Sequence, residues 1–437
     1  MTMPTAKRLT LEPPRSHCID LALQRNHARA LLRNVGRWRT TIGTSAAFLS
    51  VAIVSFVTAL AVPTFVPIDL GTLGGPTSYP LGMNDDGVAV GYSQPAGSNS
   101  NHAFRWTRDR GMDDLGTLGG ESSLATAVSE KGVVVGASGT PDGSTHAFVW
   151  TERAGMVDLG TLPGTFSNSY ATGVNALVIG FSWKTVEDFA THGFAWTRVR
   201  GMVDIGTFGG DTYPNAVNSK GLVVGTGYTL GNAASRPFAW TESGGMVDLG
   251  TFGGPFGEAL KVSDTGMVVG YSYTAGDVSY PHPFAWTDAT GMIDLGTLGG
   301  GNGGYAVAVN DDGVVVGYTS TVGNEVLRGF KWTLAEGMID LGTLSGNDSY
   351  ATGVSKDGLV VGNSVTADGR GLQGFAWTQA DGLVSLRPAR RRTYSQVGTV
   401  TGNGSVLGFS YDAGGAGHAT VWRAAAATPR YTTAKSR

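Results

Sequence analysis

The sequence predicts an all-β chain, an eight-bladed β-propeller of four-stranded blades, and three observations predict it. First, a phrase close to Asp-Leu-Gly-Thr-Leu-Gly-Gly returns, with its Asp at Asp69, Asp114, Asp158, Asp204, Asp248, Asp294 and Asp340, every 44 to 46 residues. Second, two further phrases keep that beat. An apolar run ends in Gly at Gly91, Gly136, Gly180, Gly225, Gly270, Gly317, Gly362 and Gly408. A Phe-x-Trp pair ends at Trp106, Trp150, Trp196, Trp240, Trp286, Trp332 and Trp377, with Trp422 in a degenerate eighth copy. A period of this size marks a repeat architecture. Third, the ends are complementary. Phe65 to Leu70 matches only the last strand of a repeat, and Ser395 to Trp422 supplies only the first three. Joined, they complete one blade, pin both termini and remove open sheet edges.

Residues 304–341 show the elements in order. Tyr305 to Val309 alternates small and large residues, as a strand does. Asn310-Asp311-Asp312-Gly313 is a turn, because Asn, Asp and Gly tolerate left-handed φ. Val314-Val315-Val316 is a second strand, apolar on both faces and so buried on both sides. After a variable polar loop, Arg328 to Thr333 is the third strand. Glu336-Gly337 turns the chain, and Met338 to Leu341 is the fourth strand. Four short strands per unit of about 45 residues fit a propeller blade. A β-solenoid has shorter rungs, of about 20–30 residues.

Composition agrees. The chain has 437 residues, 68 of them Gly, with 41% apolar and 15% charged residues. That suits many short strands joined by tight turns and excludes disorder. Residues 1–61 carry eight Lys/Arg and two Asp/Glu. From chain totals of 31 and 34, that leaves 23 and 32 in the body, near −9. A mildly acidic body argues against nucleic acid as a partner. The single Cys18 precedes the repeats, so no disulfide framework forms within them.

Four regions follow. Residues 1–41 are basic. Residues 42–62 are an uncharged helical run preceded by Arg33, Arg37 and Arg39 and containing Ala59-Leu60-Ala61. That is the pattern of a secretory signal, and the run is also long enough for a membrane anchor. Either way residues 63–423, the propeller, are exported to the periplasm or cell exterior. Residues 424–437 read as a disordered tail.

His102-Ala103-Phe104-Arg105-Trp106 and His146-Ala147-Phe148-Val149-Trp150, each followed by Gly-Met-x-Asp-Leu-Gly-Thr-Leu, resemble the HAF repeat, an extracellular repeat of bacterial proteins. The resemblance covers about residues 65–422. It implies location and architecture and brings no catalytic residues. The chain departs from the pattern where the His becomes Arg236, Arg328 or Gln373, and where the Asp becomes Ser385.

Candidate sites are few. His102, His146, His192, His282 and His418 share one repeat position. Different blades hold them too far apart for about 2 Å bonds to one metal ion, so each is read as a strand-to-loop hydrogen bond. The repeated Asp is expected to accept backbone N–H or Trp indole bonds. Trp240 and its equivalents are expected to be largely buried between blades. Tyr79, Tyr170, Tyr213, Tyr305, Tyr350 and Tyr394 recur where the first strand begins, the strand that lines a propeller channel. A Tyr ring at one mouth suits stacking on sugars or peptides; packing between blades competes with that reading. Arg390, Arg391 and Arg392 replace the usual Gly-rich phrase and could bind an anionic polymer, or form a solvated loop.

The chain carries no Walker A loop, no Gly-x-Ser-x-Gly and no His-Glu-x-x-His. The expectation is therefore an exported, monomeric binding scaffold that is not an enzyme and needs no cofactor or metal. Its ligand would be a glycan, peptide or protein at a channel mouth, with membrane contact only through residues 42–62. The alternatives are a propeller hydrolase or lyase acting on polysaccharide, and a purely structural surface protein.

Overall fold

A computed structural model describes residues 64–163, 166–184, 191–323, 326–389, 392–412 and 414–425. The basic segment, the signal or anchor, Arg390, Arg391 and the tail from residue 426 lie outside the described residues. Among the described residues no helix is long and apolar enough to cross a membrane.

The described residues form eight antiparallel sheets of four strands. The first blade runs Gly74–Met83, Ala89–Pro95, His102–Thr107 and Gly111–Asp114, in that spatial order. The first strands of successive blades touch one another all the way round, and that of the last blade, Tyr394–Val400, returns to Gly74–Met83. They are the inner wall of a closed ring, so the eight-bladed reading holds.

The ring closes as the ends of the sequence predict. Phe65–Asp69 pairs with Gly417–Ala424, from Phe65 opposite Ala424 to Asp69 opposite Thr420. His418 Nδ1 lies 2.9 Å from Asp69, though 349 residues separate them. A second latch sits at the turns. Asn403 Nδ2 donates to the Asp85 carbonyl, and Lys356 Nζ lies 3.1 Å from the Asp85 carboxylate.

Eight apolar clusters fill the eight blade interfaces, and one shows why the second strand is apolar on both faces. Val315 packs with Phe330 and Trp332 against Val269, Ala285 and Leu295 of the preceding blade. Its neighbour Val316 faces the following blade, against Ala351, Val360 and Phe375. Strand alternation sends the two valines opposite ways. The Phe of every Phe-x-Trp pair is fully buried. The Trp series is less uniform than expected. Trp106, Trp240, Trp332, Trp377 and Trp422 are buried, whereas Trp150, Trp196 and Trp286 are half-buried.

The fixed Gly of the second strand has a close-approach reason. A Cβ on Gly317 would land on the Tyr305 carbonyl oxygen of the inner strand, with Ala306 behind it. The turn Gly has a different one: Gly313 has φ 76°. In that turn Asn310 Oδ1 accepts the Val314 N–H, and its Nδ2 donates to Ser355 in the next blade, 3.0 Å away.

Each inner strand also carries one extra residue. Its register slips between Pro80 and Gly82 in the first blade, and between Ala259 and Lys261 in the fifth. The bulge resets which side chains face the channel.

Candidate functional site

The His and Asp of the repeat meet in every blade that has both. His102 Nδ1 lies 2.9 Å from Asp114, and His146 Nδ1 2.8 Å from Asp158. The Asp also accepts a backbone N–H two residues on, as Gly116 N–H does to Asp114 at 2.8 Å. This is the strand-to-loop tie expected from the sequence. Where the His and Asp are replaced together, by Gln373 and Ser385, Gln373 Nε2 donates to the Leu386 carbonyl and Ser395 Oγ instead. The indole expectation does not hold for Trp422, whose Nε1 donates to the Arg387 carbonyl.

Arg392 is a strut. Its guanidinium donates to the Ala416 carbonyl at 2.7 Å and to Asp412 at 3.3 Å, bracing the loop from residue 412 to 416. Those donors face protein, which leaves less of this residue for an anionic polymer.

The Tyr series needs one correction. The residue opposite the one after the second-strand Gly is Tyr79, Leu124, Tyr170, Tyr213, Glu258, Tyr305, Tyr350 or Gln396, blade by blade. Tyr394 lies two residues earlier and pairs with Tyr411. Five blades, not six, therefore hold Tyr at this place.

These five are half-buried and do not converge as a free ring. They lean on aromatics of the second strand, which the sequence reading missed. Tyr79 stacks on Tyr92, 5.0 Å between ring centres, and meets Phe409 of the preceding blade edge-on. Tyr305 is flanked in the same way by Tyr318 and by Tyr271 of the preceding blade. Three aromatic arcs result. One joins the eighth blade to the first. One runs from Trp183 through Tyr170 and Phe181 to Tyr213 and Tyr228. One runs from Phe256 through Tyr273, Tyr271, Tyr305 and Tyr318 to Tyr350. Offset and edge-on pairs each add about 0.5–1.5 kcal/mol beyond burial, so the girdle is partly packing.

Between the second and third arcs lies a cavity of about 290 Å³, lined by Phe181, Tyr213, Tyr228, Asn215 and Glu258. Trp183, packed on the lining ring of Phe181, and Phe256, two residues before Glu258 on its strand, are 37% and 36% exposed. Glu258 stands opposite Tyr271 across the strand pair. Asp211 and Asp348 also approach the girdle, but they accept the backbone N–H groups of Thr191 and Leu327. The cavity shares Thr172 and Asn215 with the central channel.

Burial dominates the titration of the girdle. It pushes the Tyr305 phenol up to about 12, with Tyr273, Tyr318 and Glu258 adding to it. Tyr350 is pushed up to about 12 by burial, then by Asp348 and Tyr318. Tyr271 rises further, through burial first and Glu258 second. A raised folded pKa favours the neutral phenol, so the unfolded chain loses its protons first. The associated stability is intact below pH about 10, the free Tyr value, and is lost as pH climbs through 12. The melting temperature is expected to stay level to pH about 10 and then fall. Replacing Tyr271, Tyr305 and Tyr350 with Phe should flatten that fall. A wild-type curve that stays level through the alkaline range would show that these phenols are not held in a desolvated girdle.

By fold the chain is similar to several solved propellers. A streptogramin B lyase matches at 10% identity, with 83% of this chain and 98% of that one covered and a TM-score of 0.43. An oligogalacturonate lyase in complex with manganese matches at 12%, with 83% and 96% covered and a TM-score of 0.45. A puromycin hydrolase matches at 13%, with 83% and 56% covered and a TM-score of 0.46. No family model and no curated protein matches the chain. At these identities the likeness shows the fold alone. It nonetheless corrects the expectation that the chain is not an enzyme. Several of the propellers it resembles are described as lyases or hydrolases, and the absence of familiar catalytic motifs excludes no activity on a propeller.

Proposed function

We propose that this chain is an exported propeller whose aromatic mouth binds a polysaccharide. One observation carries the reading. A cavity of about 290 Å³ holds Phe181, Tyr213, Tyr228 and Glu258; exposed Trp183 packs on Phe181, and exposed Phe256 precedes Glu258 by two residues on its strand. Aromatic faces stack on the apolar faces of sugar rings, while a carboxylate and an amide orient hydroxyls. Export is supported by the uncharged run at 42–62, its basic flank, and the likeness of the repeats to HAF repeats.

A second reading has a specific support. The same mouth would cleave what it binds, as a hydrolase or lyase. Glu258 breaks the repeat at the ring position and ties no backbone N–H, unlike Asp211 and Asp348. It is the mouth's candidate for proton transfer.

A glycan array followed by calorimetry on the full chain tests both. Trp183→Ala and Phe256→Ala are each expected to weaken binding of a hit by roughly 1–3 kcal/mol, the usual worth of a stacked ring at a contact. Incubation with the hit and mass analysis of the products reads cleavage, which Glu258→Gln should abolish while binding persists. Binding that ignores both ring deletions would sink the mouth as the site.

A further inference from the structure

The fifth blade breaks the repeat a second time, inside the channel. The lumen has a volume of about 610 Å³ and is walled by the inner strands. Just past the bulge, opposite the residue before the fixed Gly of the second strand, seven blades place Gly, Ala or Thr; Ala216 and Ala308 do so in the neighbouring blades. The fifth places Lys261 there, opposite Val269. Among the described residues lining the lumen it is the only charged one.

Its ammonium makes no hydrogen bond or ion pair with any described residue. The side chain is exposed to solvent in the lumen, and the protein around it lowers its pKa by desolvation. In a lumen lined by no other charge, a lone cation focuses its field on any anion that enters. One buried hydroxyl of the lumen wall lacks a partner. Thr352 stands at the bulge position where Thr126 and Thr172 donate to the next blade's carbonyls. Its own hydroxyl has no partner, because Asn363 already donates to the Val397 carbonyl.

We propose that the lumen binds a small oxyanion, a carboxylate or a phosphate, with Lys261 as its counter-charge. Gln396 lines the same cavity and adds an amide to its wall. Lys261 lines the lumen and not the mouth cavity, although the two adjoin at Thr172 and Asn215. A free anion or the acidic group of a longer ligand would meet the same ammonium.

The test is calorimetric titration of the full chain at low salt, with acetate and with inorganic phosphate in separate arms. At least one is expected to bind with a stoichiometry near one per chain. Lys261→Ala installs the residue that neighbouring blades already carry, so the ring should fold. It is expected to weaken binding roughly tenfold or more, the worth of a hydrogen bond to a charged group. Lys220→Ala, on a turn, should leave binding unchanged. The bound anion should also raise the melting temperature of the wild type but not of Lys261→Ala. Binding in only one arm identifies that anion as the class. Absence of binding in both arms, or binding unchanged by Lys261→Ala, overturns the proposal.

Discussion

Removing residues 64–69 is expected to cost the propeller most of its stability and to leave it prone to aggregation. The deletion strips the fourth strand from the eighth blade and exposes the whole of Gly417–Ala424 as an edge. Unpaired strand edges template association with other chains. It also removes Ile68 from the cluster of Phe104, Leu407 and Val421, and the Asp69 partner of His418. Five paired residues and a partly buried apolar side chain, at about 1 kcal/mol per hydrogen bond and 1.5–3 per fully buried side chain, approach the ~5–15 kcal/mol that holds a whole domain. The turn latch from Asp85 to Asn403 and Lys356 remains but joins only exposed groups. Melting and size-exclusion measurements read the effect. A peptide of residues 64–71 supplied in trans should restore the melting temperature with rising concentration. Unchanged melting of the shortened chain would mean that the ring does not depend on this strand.

The closure was legible because the repeat phrases keep one phase and the two end fragments are visibly complementary. The His–Asp tie was legible too, since both residues recur together and disappear together at Gln373 and Ser385. The Tyr register was not. Around Arg387 to Arg392 the Gly-rich phrase that marks phase is lost, and Tyr394 was the nearest aromatic to hand. Gly408 still carried the phase: Tyr305 stands twelve residues before Gly317, and Gln396 twelve before Gly408. The second-strand aromatics stood in plain view after the fixed Gly, as Tyr92, Tyr271 and Tyr318. Their role needed the cross-strand register that sets them against Tyr79, Glu258 and Tyr305. Lys261 was hidden for a sharper reason. Period-two counting from Glu258 assigns it to the opposite face, and the bulge between Ala259 and Lys261 undoes that count. A bulge is a one-residue slip that alternation alone does not reveal.

Trp240→Ala is expected to cost about 3–5 kcal/mol, the range for deleting a large aromatic from a core. The ring is 7% exposed at the interface of the third and fourth blades. It packs with Ile179, Ala195, Ile205, Val223 and Phe238, and Met246 covers its edge. Strands on both sides hold the site, so little collapse can fill the cavity, which places the cost high in the range. Trp286, its half-buried equivalent one blade on, should cost clearly less when changed to Ala, because part of its surface is already wet. Chemical denaturation of both variants checks the order. Equal costs, or a negligible one at Trp240, would make the exposed half of the series the informative half and turn these rings from core into surface. The expected order has a further consequence for the ring as a whole. Each blade touches mainly its two neighbours, so stability is close to a sum of interface terms. In an open array, weakening one interface would fray the nearer end. In a closed ring there is no end, and loss at the interface of the third and fourth blades must be carried by the other seven. Trp240→Ala should therefore unfold in one cooperative transition in the full chain, and in separable steps once residues 64–69 are gone.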